Sequence, residues 1–112
     1  DLILYADGNQ ITQVILNLLK NAAGAIGTRE GGVIALSAFC NDEEHVIVDV
    51  ANNAEPISEA VSQHIFVPFF TTKEHGSGIG LSVSRQIMRL HRGSLKLQHS
   101  TPRETRFRLV FR

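Results

Sequence analysis

Four short stretches of the 112-residue sequence combine residue types that can do chemistry. The first is the run Gly76-Ser77-Gly78-Ile79-Gly80, placed just before a helical pattern. Alternating glycines let a backbone approach a ligand closely, and the free N–H groups and positive dipole end of the following helix suit phosphate. A plain loop ahead of a helix explains the run equally well at this point. It is neither a dinucleotide fingerprint nor a P-loop: the run follows a loop rather than a strand, the spacing is not GxGxxG, and no Gly-Lys-Ser/Thr occurs.

The second stretch is a polar stripe, Gln13, Asn17, Asn21 and Gly24, at steps of four and three. A solvated helical face is the usual explanation. Such faces favour Glu, Lys, Gln and Arg, however, and Asn is a poor helix former. Two asparagines one turn apart therefore suggest a face chosen for its carbonyl oxygens, which can ligate a hard cation such as Mg²⁺. Third, Thr71, Thr72 and Lys73 lead from a phenylalanine cluster (Phe66, Phe69, Phe70) into the glycine run. The phenylalanines are expected mostly in the core, whereas two hydroxyls and an ammonium beside a phosphate cradle are not needed for folding. Fourth, ANNAEPIS at 51–58 follows the apolar run VIVDV, and is either a turn or one wall of a binding site.

Composition narrows the classes. Hydrophobic residues make up 43% and charged residues 20%, a globular composition for one domain over 1–112. Eleven basic side chains balance eleven acidic ones, which argues against a nucleic-acid or membrane-surface module. The single Cys40 has no partner for an internal disulfide, and its apolar surroundings predict a small buried hydrophobe. No apolar run approaches the roughly 20 residues that span a bilayer, so a cytoplasmic location is the expectation. The abrupt strand-like start LILYA suggests a fragment of something longer.

The elements that must position these residues follow from periodicity. Residues 7–26 read as a long helix with Ile11, Val14, Ile15, Leu18, Leu19, Ala22 and Ile26 on one face. Asp7 is its expected cap, and Gln10 completes a capping-box pattern. GVIALSAFC and HVIVDVA predict a hairpin, SEAVSQHIF a short helix begun by Ser58, and 79–91 a second long helix striped by Ile79, Val83, Ile87 and Leu90. Gly93 is the expected closure of that helix. SLKLQH and TRFRLVF are the last strands, and in the second Phe107, Leu109 and Phe111 alternate with arginines. The order predicts a two-layer α/β sandwich, a mixed, mostly antiparallel sheet with helices on one face.

NLLKNAAGA resembles an N-box, ANNAEPIS falls where a first glycine box belongs, and IFVPFFTTK resembles an F-box and short lid. HGSGIGLSVSRQIM is similar to a second glycine box and ETRFRLVF to a closing Gly-Thr-x-Phe strand. Each motif alone is weak. Five in order, from Asp7 to Phe111, resemble the catalytic ATP-binding domain of bacterial sensor histidine kinases, in the GHKL superfamily shared with gyrase, heat-shock-90 chaperones and mismatch-repair ATPases.

The resemblance implies roles. Asn21 ligates Mg²⁺, with Asn17 and Lys20 near the metal and phosphates of ATP. Gly76, Ser77, Gly78, Ile79, Gly80 and Leu81 wrap the phosphates. Thr71, Thr72 and Lys73 form the lid, Phe66 and Phe69 couple it to the phosphoacceptor domain, and Asn52, Ala54, Ile57 and Thr105 line the adenine. Asn52 stands where the family carries Asp, Pro56 where it carries a glycine, and Glu104 where a glycine precedes Thr105. Asp49 is the alternative adenine reader should the register slip. In hydrolysing branches a glutamate matches position 17 and serves as general base; Asn17 cannot accept that proton, which favours a kinase.

The histidine contexts HVI, HIF, HGS, HRG and HST do not match a phosphoacceptor followed by an acidic and an apolar residue. The phosphoacceptor is then expected on a separate helical-hairpin domain of the same parent, with a response-regulator receiver domain as the indirect partner. This domain itself is expected to be monomeric within a homodimeric parent. A nucleotide sensor without catalysis and a serine kinase of the anti-sigma-factor type are the alternatives.

Overall fold

The computed structural model describes residues 7–70 and 79–112. Along them run α1 (Gly8–Ile26), β1 (Ile34–Cys40), β2 (Val46–Asn52), the single turn α2 (Glu59–Ser62), α3 (Gly80–Leu90), β3 (Ser94–Ser100) and β4 (Thr105–Phe111). The strands form one sheet in the order β1-β2-β4-β3, with every neighbouring pair antiparallel. The two hairpins β1–β2 and β3–β4 therefore meet along β2 and β4, and α1 and α3 cover one face. This is the expected two-layer sandwich; the opening LILYA lies outside the described residues.

Helix α1 forms where its pattern predicts. Asp7 Oδ1 accepts from Asn9 N–H (3.0 Å) and Gln10 N–H (3.2 Å). The capping box is not completed by Gln10. The Asp7 N–H donates instead to Nε2 of His91 (3.2 Å), whose Nδ1 donates to the Ile87 carbonyl (2.9 Å), so one imidazole ties the start of α1 to the end of α3. On the inner face Ile11, Val14, Leu18 and Ala22 are buried against Val50, Phe107 and Leu109. The inner stripe of α3 is rotated from the expected one: Ser84, Ile87 and Met88 are buried, while Ile79 and Leu90 are exposed. Ile79 is the residue that caps the helix and Leu90 sits in its last turn, so neither is held over the sheet. Closure also differs. Arg92 adopts the left-handed conformation (φ 59°), and Gly93 donates to the Met88 carbonyl (2.8 Å).

Strand β4 keeps its alternation. Thr105, Phe107, Leu109 and Phe111 are buried under the helices, and Arg106 and Arg108 stand on the open face. β1 is one of the two edges, paired only with β2, and all seven of its residues are exposed, Cys40 included. The expectation of a buried thiol fails because no residue of β1 joins the helix-covered core. Phe69 is also exposed (78%) with a positive φ, while Phe66 packs edge-on to Phe107 and lies under the guanidinium of Arg85. Among the described residues no helix is long and apolar enough to cross a membrane.

On the open face Asp49 is 1% exposed and accepts from Arg106 Nη1 (2.8 Å) and from Arg108 Nε (2.9 Å) and Nη2 (2.8 Å). Arg106 also reaches Glu104 (2.7 Å), which in turn meets His99 Nε2 (3.0 Å). Burial pushes the Asp49 carboxyl up, but the hydrogen bonds and charges of Arg108 and Arg106 outweigh it and leave the group below its ordinary value of 3.8. Hydrogen bonding to Arg106 likewise holds Glu104 below its ordinary 4.5. Carboxyls depressed in the folded state add stability above their unfolded pKa, and that stability is lost as pH falls through the folded value. Acid unfolding should therefore steepen below about pH 4, and Asp49→Asn should flatten that slope. Urea midpoints across the acid range are the check; parallel slopes in the two proteins would contradict it.

Candidate functional site

Strands β2 and β4 end together. Asn52 and Thr105 are paired across them, both on the helix-covered face and both buried (6% and 2% exposed). Buried polar groups need partners, and these find them in one another's neighbourhood. Asn52 Oδ1 accepts from Ala54 N–H (3.0 Å), which turns the chain at the strand end. Thr105 Oγ1 shares a proton with Ser100 Oγ (2.6 Å), and Ser100 accepts from Ile57 N–H (2.7 Å). Thus Asn52, Ala54, Ile57 and Thr105 are brought together as one polar wall, with Ser100 as its hidden link.

The octet around Asn52 divides its two asparagines between roles. Asn53 Oδ1 accepts from Val33 N–H (2.8 Å) and Asn53 Nδ2 donates to the Gly31 carbonyl (3.0 Å), so this side chain braces the turn before β1. Positive φ among the described non-glycine residues is confined to Glu44, Phe69 and Arg92. Ala54 and Pro56 therefore sit where glycines are not required, and the loop accommodates them without backbone strain. Asp49, the alternative base reader, points to the other face and is consumed by two arginines.

The second group lies on the seam of α1 and α3. Asn17 is half-buried and its Nδ2 donates to Ser84 Oγ (3.1 Å) and, more weakly, to the Gly80 carbonyl (3.4 Å). Among the described residues its carbonyl oxygen has no partner. Asn21, one turn along the same helix, is also half-buried, whereas Lys20 between them is exposed. The first turn of α3 carries Gly80 and Leu81, with no side-chain cap from Ile79. A Cβ at Gly80 would meet nothing closer than Asn17 Cγ at 4.0 Å, and its φ is not positive, so neither packing nor conformation demands a glycine there. A glycine there suits a backbone that a phosphate approaches closely. Thr71, Thr72, Lys73, Gly76, Ser77 and Gly78 lie outside the described residues.

Oxygen donors of the amide type on α1 suit Mg²⁺, which dehydrates reluctantly and takes few protein ligands, the rest coming from phosphate and water. Among the described residues no three His, Cys, Asp or Glu side chains gather into a metal cage. The arrangement suits a phosphorylated ligand whose apolar or aromatic end meets the Asn52–Thr105 wall and whose phosphates meet the start of α3. Ser84 and Ser100 escaped the sequence reading. A serine inside a helix or strand carries no spacing signal, and only pairing across the fold reveals its partner.

Comparison with known proteins agrees with this geometry. Residues 6–112 match the family described as histidine kinase-, DNA gyrase B- and HSP90-like ATPase. The chain is 38% identical over 95 residues to the sensor histidine kinase ZraS of Salmonella typhimurium, covering 85% of this chain and 20% of that protein. It is 38% identical over 104 residues to sporulation kinase D of Bacillus subtilis, covering 93% of this chain and 20% of that one. The chain thus spans about a fifth of these relatives' length. Among solved structures, the nucleotide-free catalytic domain of histidine kinase ThkA superposes with a TM-score of 0.81 at 36% identity, over 95% of this chain and 68% of that one. On sequence and on fold alike, the chain belongs to the histidine kinase-, DNA gyrase B- and HSP90-like ATPase family, in its sensor histidine kinase branch.

Proposed function

We propose that residues 1–112 form a single catalytic domain that binds Mg-ATP and donates the γ-phosphate to a histidine on a helical-hairpin domain elsewhere in the same parent protein. The observation that carries this reading is the buried polar wall of Asn52, Thr105, Ser100 and the Ile57 and Ala54 amides at the sheet end, which gives a nucleobase something to hydrogen-bond in an otherwise apolar layer. In this reading Asn21 holds Mg²⁺, Asn17 and Lys20 stand near the phosphates, and Ile79, Gly80 and Leu81 supply backbone N–H groups with Gly76, Ser77 and Gly78. Thr71, Thr72 and Lys73 close over the nucleotide, and the exposed Phe69 is offered to the partner domain. Transfer of this kind rests on positioning and charge neutralisation rather than on covalent chemistry by the protein.

Asn17 favours transfer over hydrolysis. Its amide nitrogen is committed to Ser84 and Gly80, and its carbonyl cannot take a proton from water at neutral pH. The described histidines are occupied structurally or solvated: His91 ties two helices, His99 meets Glu104, His64 lies beside Phe70 and His45 near Glu43. The phosphoryl group is then passed to a response-regulator receiver domain, with the parent a dimer and this domain on its cytoplasmic side. Mixing the chain with the parent's histidine-bearing hairpin and γ-labelled Mg-ATP tests the reading. Label on the hairpin histidine is expected; saturable ATP binding with no transfer would leave a nucleotide sensor.

A further inference from the structure

Asn52 is buried (6% exposed), yet only one of its two polar side-chain atoms has a partner among the described residues. Its Oδ1 lies 3.0 Å from the Ala54 nitrogen. An N–H donates only to an acceptor, so the oxygen must be the atom turned to Ala54 and the NH₂ group must face the other way. Among the described residues that Nδ2 has no hydrogen-bond partner, and it is not sealed in the core. The buried side-chain atom left unpaired there is Ser94 Oγ, which belongs to the sheet's open face. The wall therefore offers a donor to whatever lies in front of it.

A carboxylate at this place has two oxygens, one for the Ala54 N–H and one for a ligand. An amide has one, and the backbone takes it. Rotating the amide to free the oxygen sets its NH₂ against the Ala54 N–H, so the second arrangement loses the turn. The hydroxyls beside it do not share this polarity. Ser100 and Thr105 stand 2.6 Å apart and either can be the donor, so the pair can give a proton to a ring nitrogen or accept one from it. Discrimination at the wall falls to Asn52.

We propose that Asn52 is a specificity-determining residue that donates from Nδ2 to an acceptor on the base, so the site takes a 6-oxopurine triphosphate at least as well as ATP. The inference rests on the reading of this wall as the base site. A 6-amino group puts donor against donor, and both lose their water without gaining a bond. A 6-oxo group accepts from Nδ2, while its ring N–H donates to the Ser100–Thr105 pair. ATP remains a ligand, held by its phosphates.

Calorimetric titration of the chain with Mg-ATP and Mg-ITP, in the wild type and in Asn52→Asp, tests this. ITP carries the 6-oxo group in place of the amine. The wild type is expected to bind ITP as tightly as ATP or more tightly, and Asn52→Asp to move the ratio toward ATP on the order of tenfold. A wild type that prefers ATP by about tenfold, or a ratio that Asn52→Asp leaves unmoved, overturns the inference while leaving the base site standing. If the variant does not fold, the wild-type ratio alone decides. Failure of both triphosphates to bind saturably overturns the inference and the base-site reading together.

Discussion

Replacing Asn21 by alanine is expected to lower phosphoryl transfer to the hairpin histidine on the order of a hundredfold while changing the stability of the fold by no more than about 1 kcal/mol. The separation of the two effects is the point. Asn21 lies at a half-buried position of α1, one turn beyond Asn17, away from the stripe of Ile11, Val14, Leu18 and Ala22 that holds the helix to the sheet. Alanine is the best helix former and asparagine among the poorer ones, so the helix itself gains. What is lost, in the proposed reading, is the amide that would hold Mg²⁺. Transfer rates with the parent's hairpin at saturating Mg-ATP, beside thermal unfolding, give both numbers. A transfer rate within about twofold of wild type would show that Mg²⁺ is held by other groups.

Gly93→Ala should have the largest effect on stability, about 2–3 kcal/mol of destabilisation. The residue links α3 to β3, and a Cβ there would collide with the backbone carbonyl oxygen of Val110 and sit 2.9 Å from the Met88 Cε. Met88 is a flexible side chain and can give way; the Val110 carbonyl is part of β4 and cannot without moving the strand. Because Ser94 pairs with Val110 at one end of the β3–β4 ladder and Ser100 with Thr105 at the other, the strain enters the ladder that carries the polar wall. Gly8→Ala is the control, since a Cβ at Gly8 meets nothing within 4 Å. Denaturant midpoints of the two variants should differ clearly; equal midpoints would mean that β4 yields easily at Val110.

Periodicity in the sequence was enough for α1, for β4 and for the layer order, because apolar spacing records directly which face is buried. Glycine at 93 was legible as special, but its reason was not: it looked like a helix terminator, whereas Arg92 carries the positive φ and Gly93 is there for a close backbone approach. Cys40 read as buried and proved exposed, since apolar strand composition does not say which strand the helices leave uncovered. Asp49 in VIVDV gave no hint of its partners. Arg106 and Arg108 come from a strand nearly sixty residues on, and only the β2–β4 register makes them neighbours. The site divided in the same way. Asn52 and Thr105 were expected, but Ser100 and Ser84, which satisfy Thr105 and Asn17, depend on contacts across the fold.

The central claim, that a nucleotide lies between the Asn52–Thr105 wall and the start of α3, is tested most directly by following backbone amide resonances during a titration with Mg-ATP. The account predicts saturable shifts at Ala54 and Ile57, whose N–H groups are bound into the wall, and at Gly80 and Leu81, at the start of α3. Amides near Asp49, Arg106 and Arg108 on the open face should move least. No saturable shift at millimolar nucleotide, where even weak complexes of about −4 kcal/mol are half formed, would contradict it. So would shifts centred on the open face.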